Sequence, residues 1–189
     1  MTDRVQVREA VEGDGDAIGE AHAAAWLAAY TRIFSSDFLD AAAESRRSEW
    51  PSAIRDLLAP PNILLVGAVN GRVVAFAHAA PVTAPDTAEI TGFYCHPDAW
   101  GTGISAALMT QTKVVLADRV REVFLWTLRD AARARRFYAK VGFRLTGSTR
   151  AETLTNWTTG AAAARPAVEF ATRLADERRR ARRTTAARA

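Results

Sequence analysis

The sequence predicts an α/β (α+β) fold, with one mixed, mostly antiparallel central sheet of six to seven strands and helices on both faces. Three observations carry this. Apolar stretches from Ile63 to Val69 and from Val73 to Ala80 flank Asn70-Gly71, a pair suited to the tight turn of a hairpin. Ahead of them, apolar residues recur at helical spacing from Ile18 to Ile33. After Ala88 strand and helix patterns alternate, and such elements bury their apolar faces by packing helices on a sheet.

Taken in order, Val5 and Val7 alternate with polar neighbours and predict a short first strand. Asp14 or Asp16 is placed to cap a helix whose Ile18, Ala21, His22, Ala25, Trp26, Ala29, Tyr30 and Ile33 share one face. Ser36 or Asp37 offers a cap for a second helix through Phe38, Leu39 and Ala42. Pro51 suits the first turn of a third, holding Ile54, Leu57 and Leu58 and stopped by Pro60-Pro61. After the hairpin, Pro81 to Asp86 reads as a loop and Ala88 to Cys95 as a strand that Pro97 ends. Gly103 to Ala117 predicts a helix, and Val123 to Leu128 a short apolar strand. Asp130 is placed to cap a helix from Ala131 to Val141, with Gly142 as its stop. Strands from Phe143 to Gly147 and from Ala167 to Leu174 close the order, with a loop containing Thr158, Thr159 and Gly160 between them. No interior linker or repeat interrupts the pattern. Residues 1–175 are expected to form a single domain, and 176–189 a basic, disordered tail.

An apolar content of 49% with 24% charged residues is ordinary for a globular protein. No apolar run approaches the roughly 18 residues of a membrane span, and no apolar h-region follows Met1-Thr2-Asp3-Arg4. A cytoplasmic protein without membrane contact is the expectation. Cys95 is the single cysteine, and His22, His78 and His96 have no metal-ligand spacing, so no metal site is expected. From Arg173 onward seven arginines oppose Asp176 and Glu177, which puts +5 in the tail and leaves −1 for the rest. A near-neutral body gives no basic footprint for nucleic acid.

The segment Cys95-His96-Pro97-Asp98-Ala99-Trp100-Gly101-Thr102-Gly103-Ile104-Ser105 carries the most chemistry. A strand enters, a proline stops it, two glycines shape a turn, and a helix leaves. Glycine lets the backbone approach a bulky anion, and the free amides of a helix start favour phosphate. No Gly-Lys-Ser/Thr is present, which counts against a nucleotide P-loop. The segment resembles motif A of the GNAT superfamily of acyl-CoA-dependent N-acetyltransferases, Gln/Arg-x-x-Gly-x-Gly/Ala. Trp100 stands at the usual Gln or Arg and Ser105 at the usual Gly or Ala. Phe137-Tyr138-Ala139-Lys140-Val141-Gly142-Phe143 is similar to the family's motif B, with Ala131 at its usual asparagine.

The resemblance implies acetyl-CoA as co-substrate, held by Phe93, Tyr94, Cys95, Trp100, Gly101, Thr102, Gly103, Ile104 and Ser105. It implies Tyr138 as the general acid for the leaving thiolate and Glu89 as the base for the amine, with His78 the competing base. Residues 89, 91, 93 and 95 alternate onto one strand face, which puts Glu89 on the side of Cys95. Trp26 and Tyr30 are expected to shape the pocket for a small-molecule or peptide amine. The alternative is a degenerate domain that binds acyl-CoA as a sensor without turnover. Homodimers are common among members of the family, and one is possible here.

Overall fold

The structure, a computed structural model, describes residues 3–155, 160 and 162–174. The basic tail expected at 176–189 lies outside these residues. Seven strands form one sheet: β1 (Val5–Glu9), β2 (Ile63–Val69), β3 (Arg72–Pro81), β4 (Thr87–Cys95), β5 (Glu122–Leu128), β6 (Arg144–Thr155) and β7 (Ala162–Arg173). Their order is β1-β2-β3-β4-β5-β7-β6, and every neighbouring pair is antiparallel except β4 with β5. The hairpin from β2 to β3 turns at Asn70 and Gly71, both at positive φ, as that dipeptide requires.

Helices α1 (Gly15–Tyr30) and α2 (Ser36–Leu58) cover one face, and α3 (Ile104–Ala117) and α4 (Ala132–Lys140) the other. The central strand β2 is apolar almost throughout because both of its faces are covered. Leu64 and Val66 meet Ile18, Trp50 and Ile54 on the first face. Ile63 and Leu65 join Leu108, Met109 and Leu125 on the second. Among the described residues no helix is long and apolar enough to cross a membrane.

The structure corrects several sequence-based expectations. The second and third helices are one, and Pro51 lies inside it. Proline removes one N–H from the helix ladder, but here Pro51 packs on the first turn of α1. A Cβ on Gly15 would fall 2.9 Å from Pro51 Cα. Asp14 does not cap α1 through its side chain; its carboxylate accepts from Val11 N and from the Arg8 guanidinium, at 2.6–2.9 Å. That pair holds the Asp14 carboxyl below its ordinary range, chiefly through the Arg8 hydrogen bonds. Asp130 makes no side-chain cap either, since Ala131 is the N-cap of α4. The expected loop after Gly147 is largely a hairpin, with β6 paired to β7 from Thr149↔Val168 to Thr155↔Ala162. Of the residues named in that loop, Thr158 and Thr159 lie outside the described residues.

Gly19 lets the two N-terminal helices meet backbone to backbone. A Cβ there would sit 3.1–3.2 Å from the carbonyls of Arg46 and Arg47 and from Arg47 Cα. Gly19→Ala is therefore expected to destabilise the protein by about 1–3 kcal/mol, the usual cost of overpacking. Urea unfolding should give a lower midpoint at an unchanged slope; an unmoved midpoint would mean that the helices separate freely.

Candidate active site

β4 pairs with β5 only at Thr87, Ala88 and Glu89, against Glu122, Val123 and Phe124. Beyond these the strands part, β4 following β3 and β5 following β7. The register of β4 on β3 also slips. Ala79 faces Ile90 while His78 faces Gly92, which leaves Thr91 as the extra residue of a β-bulge. His78 Nδ1 and Thr91 Oγ1 are hydrogen-bonded at 2.6 Å across the slip, which pins the bulge.

The bulge reverses side-chain parity along β4. Ala88, Ile90, Phe93 and Cys95 pack toward α3 and α4, and Tyr94 packs toward α1 and α2. Glu89, opposite Ala80, shares the face of Tyr94. Simple alternation, which put Glu89 on the side of Cys95, is thus overturned by one inserted residue.

A cleft of about 880 Å³ runs through the parted strands. The glycine turn forms one end of it. Gly101 and Gly103 have φ of +88° and +89°, and a Cβ on either would point into open space. The amides of Gly101, Gly103, Ser105 and Ala106 have no protein acceptor in the hydrogen bonds of the described residues. Thr102 Oγ1 donates to Ala99 O at 2.8 Å and so stiffens the turn. Trp100 folds away from the turn, its Nε1–H donating to Cys95 O at 3.1 Å. Ile104 is fully buried, and a Cβ on Gly67 would lie 2.8 Å from it, so close sheet contact anchors the start of α3. Phe93, Tyr94, Cys95, Trp100, Gly101, Gly103 and Ser105 line the cleft, whereas Thr102 and Ile104 support its wall. Open amides at a helix start and bare glycine Cα atoms fit a diphosphate.

Three phenols converge where the strands part. Tyr138 of α4 is buried among Phe93, Phe137, Phe143 and Phe170, with ring centroids 5.6–6.4 Å apart, and it lines the cleft. Burial, and then the neighbouring Tyr94, push its phenol well above the usual tyrosine range. Burial, and then the neighbouring Tyr94, raise the Tyr30 phenol well above the usual tyrosine range.

On the far side of the gap stands Glu89, its side chain 20% exposed. Burial raises its carboxyl above the usual range, Arg150 opposes this, and Glu152 and Glu169 add to it. The Arg150 guanidinium lies 3.8 Å from Glu89, 2.7 Å from Glu152 and 4.4 Å from the centre of the Trp126 ring. Cys95 stays a thiol, since burial raises it and its Sγ–H points to His96 O at 3.6 Å.

Trp26 and Tyr30 separate. Tyr30 lines the cleft, but Trp26 is only 1% exposed and stays in the core. It stands perpendicular to Tyr30 at 5.1 Å, with the Arg46 guanidinium 3.3 Å from its ring centre. Burial lowers Arg46 to about 10. Sequence reasoning missed the cleft-lining residues Thr91, Trp126, Arg150, Glu152 and Leu154. The signal was faint: Arg150, Glu152 and Leu154 alternate with Ala151 and Thr153, as a strand with one wet face would.

Residues 23–143 match the acetyltransferase (GNAT) family. An uncharacterised N-acetyltransferase of Mycobacterium bovis is 34% identical over 90 residues, which are 47% of this chain and 57% of the relative. The chain thus spans little more than half the length of that relative. The PaiA N-acetyltransferase of Thermoplasma acidophilum, solved with coenzyme A, superposes over 90% of this chain and 99% of its own at a TM-score of 0.69 and 15% identity. The YncA protein of Salmonella typhimurium, solved with acetyl-CoA, covers 90% of this chain and 94% of its own at 0.58 and 22%. These likenesses establish the sheet and its helices as a shared fold. The parted strands, the glycine turn and the family match meet in one conclusion: the chain belongs to the GNAT family of acetyltransferases.

Proposed function

We propose that the chain is an N-acetyltransferase that moves an acetyl group from acetyl-CoA to a primary amine of a small molecule or peptide by direct attack. One observation carries this reading: a single cleft joins the glycine turn to Glu89 and the tyrosine cluster. The amides of Gly101, Gly103, Ser105 and Ala106 would hold the diphosphate, and the free edge of β4 at Phe93, Tyr94 and Cys95 the pantetheine arm. Acetyl-CoA supplies a thioester carbonyl open to the amine.

Alkylamines are mostly protonated at neutral pH. Glu89 takes a proton from the ammonium and so exposes its lone pair. Its raised proton affinity suits that exchange. Tyr138 gives its phenolic proton to the departing sulfur. A phenol pushed up by burial holds its proton until the thiolate forms, and the same burial raises the thiolate's own affinity for it. Tyr30 and Tyr94 order the hydroxyls beside it. His78 keeps a structural place at the bulge, and Cys95 stays out of the reaction as a buried thiol.

Three experiments test the assignment. Calorimetric titration with coenzyme A should show binding, and Gly103→Ala should abolish most of it by placing a Cβ in the cradle at positive φ. With an amine panel followed by free thiol, Tyr138→Phe should lower kcat by roughly 10²- to 10⁴-fold at unchanged coenzyme affinity. Unchanged turnover would remove Tyr138 from the role, and binding without turnover of any amine would leave an acyl-CoA-binding module.

The pH profile isolates Glu89. The base acts ionised, so kcat/KM should fall as pH drops through its raised value, and Glu89→Gln should abolish that limb. Arg150 favours the carboxylate, so Arg150→Met should move the limb to higher pH. A limb that persists in Glu89→Gln belongs to another base.

A further inference from the structure

The glycine turn has dipoles but no cation of its own. Its first position, Trp100, is neutral where the family motif carries Gln or Arg, and its indole N–H is already committed to Cys95 O. A diphosphate bound by amides alone keeps most of its charge uncompensated. A cation stands beside the turn on α4. Arg133, in the first turn of α4, lays its guanidinium 3.6 Å from the centre of the Trp100 ring. Stacking uses the flat face of a guanidinium and leaves the N–H groups at its edge free for an anion. None of the side-chain hydrogen bonds or ion pairs among the described residues engages the Arg133 guanidinium. Arg135 donates to Arg129 O and Arg129 approaches Asp130, while Arg136 also lines the cleft but is not stacked on Trp100. Arg133 lines the same cleft as Gly101, Gly103, Ser105 and Ala106.

We propose that Arg133, held on the face of Trp100, is the phosphate-binding cation of the coenzyme site, supplied by α4 in place of the turn's first residue. Trp100 is then a platform: it orients the guanidinium and touches no phosphate through its own N–H. Ala131 has a matching consequence, because a short side chain there leaves the head of α4 clear for Arg133. The inference rests on the coenzyme binding proposed above.

The test is calorimetric titration of the full chain with coenzyme A, 3′-dephospho-coenzyme A and pantetheine. Arg133→Met keeps the aliphatic bulk and loses the charge. It should weaken coenzyme A by roughly 10- to 100-fold, the worth of one charge-assisted phosphate contact, and leave pantetheine unchanged. Arg133→Lys should recover part of the loss. Trp100→Leu should weaken coenzyme A as well, and the double variant should be scarcely worse than Arg133→Met. Equal weakening of coenzyme A and its dephospho form assigns the contact to the diphosphate; weakening of coenzyme A alone assigns it to the 3′-phosphate. Either supports the clamp. Affinity of Arg133→Met within about twofold of the parent, or strict additivity with Trp100→Leu, would overturn it. If the parent protein binds no coenzyme A, the proposed function falls together with the inference.

Discussion

The brief parallel contact between β4 and β5 is the constraint on which the rest of this structure depends. Three register pairs hold the strands together at Thr87, Ala88 and Glu89, after which each follows a different antiparallel partner. A continuous sheet would have satisfied the facing backbone groups and closed the centre of the molecule. Parting them leaves polar backbone on the walls of a slot, where an extended, amide-bearing ligand can pair with it. The bulge at Thr91 makes the parting possible by bending β4 away, and its hydrogen bond to His78 keeps the bend in one place. It also sorts the chemistry. Phe93 and Cys95 pack on the side of α3 and α4, while Glu89 and Tyr94 stand on the opposite face of β4.

The helices make that slot a site. α3 starts where β4 ends, so its free amides meet the mouth of the gap, and the contact of Ile104 with Gly67 keeps that start from drifting. α1 and α2 close the opposite face through an aromatic and cationic layer. Trp50 donates to His22, His22 lies against Tyr94, and Arg46 covers Trp26 beside Tyr30. Burial lowers His22 well below its usual range, so it sits there as a neutral acceptor. A buried arginine is costly to desolvate. Here it stacks on an indole and donates to Ala42 O at 2.8 Å, which fixes the depth at which α2 carries it.

Much of this was legible in the residues. The apolar periodicities located the helices and the first five strands because local pattern and burial agree there. The Asn70-Gly71 turn and the glycine turn were readable because positive φ restricts the residue type. What escaped depends on tertiary contact. Pro51 counted as a helix start until its packing on Gly15 let α2 run through it. The base of the β6–β7 hairpin was legible, but its outer half was hidden by alanines and threonines with weak burial preference, and with it went Arg150 and Glu152. Thr91 shows the limit most clearly. No residue in the run Ile90-Thr91-Gly92 demands a bulge, yet one slipped register there decides which way Glu89 points.

The departures from the motif follow the same logic. A motif records which residue usually performs a task at a position, whereas the ligand responds to charge and donors in space. Trp100 abandons the polar character of its position, but it does not block the turn, because its indole hydrogen-bonds backward to Cys95 O and its ring faces Arg133. Ser105 lines the cleft and leaves its own amide open. Neither change touches the two glycines, whose φ values no other residue adopts without strain. The parts of the motif kept are those that backbone geometry enforces, and the parts exchanged are side chains whose work a neighbouring element can take over. On that reading the loop and the head of α4 form one binding surface across the parted strands, and a substitution in either has to be judged against both.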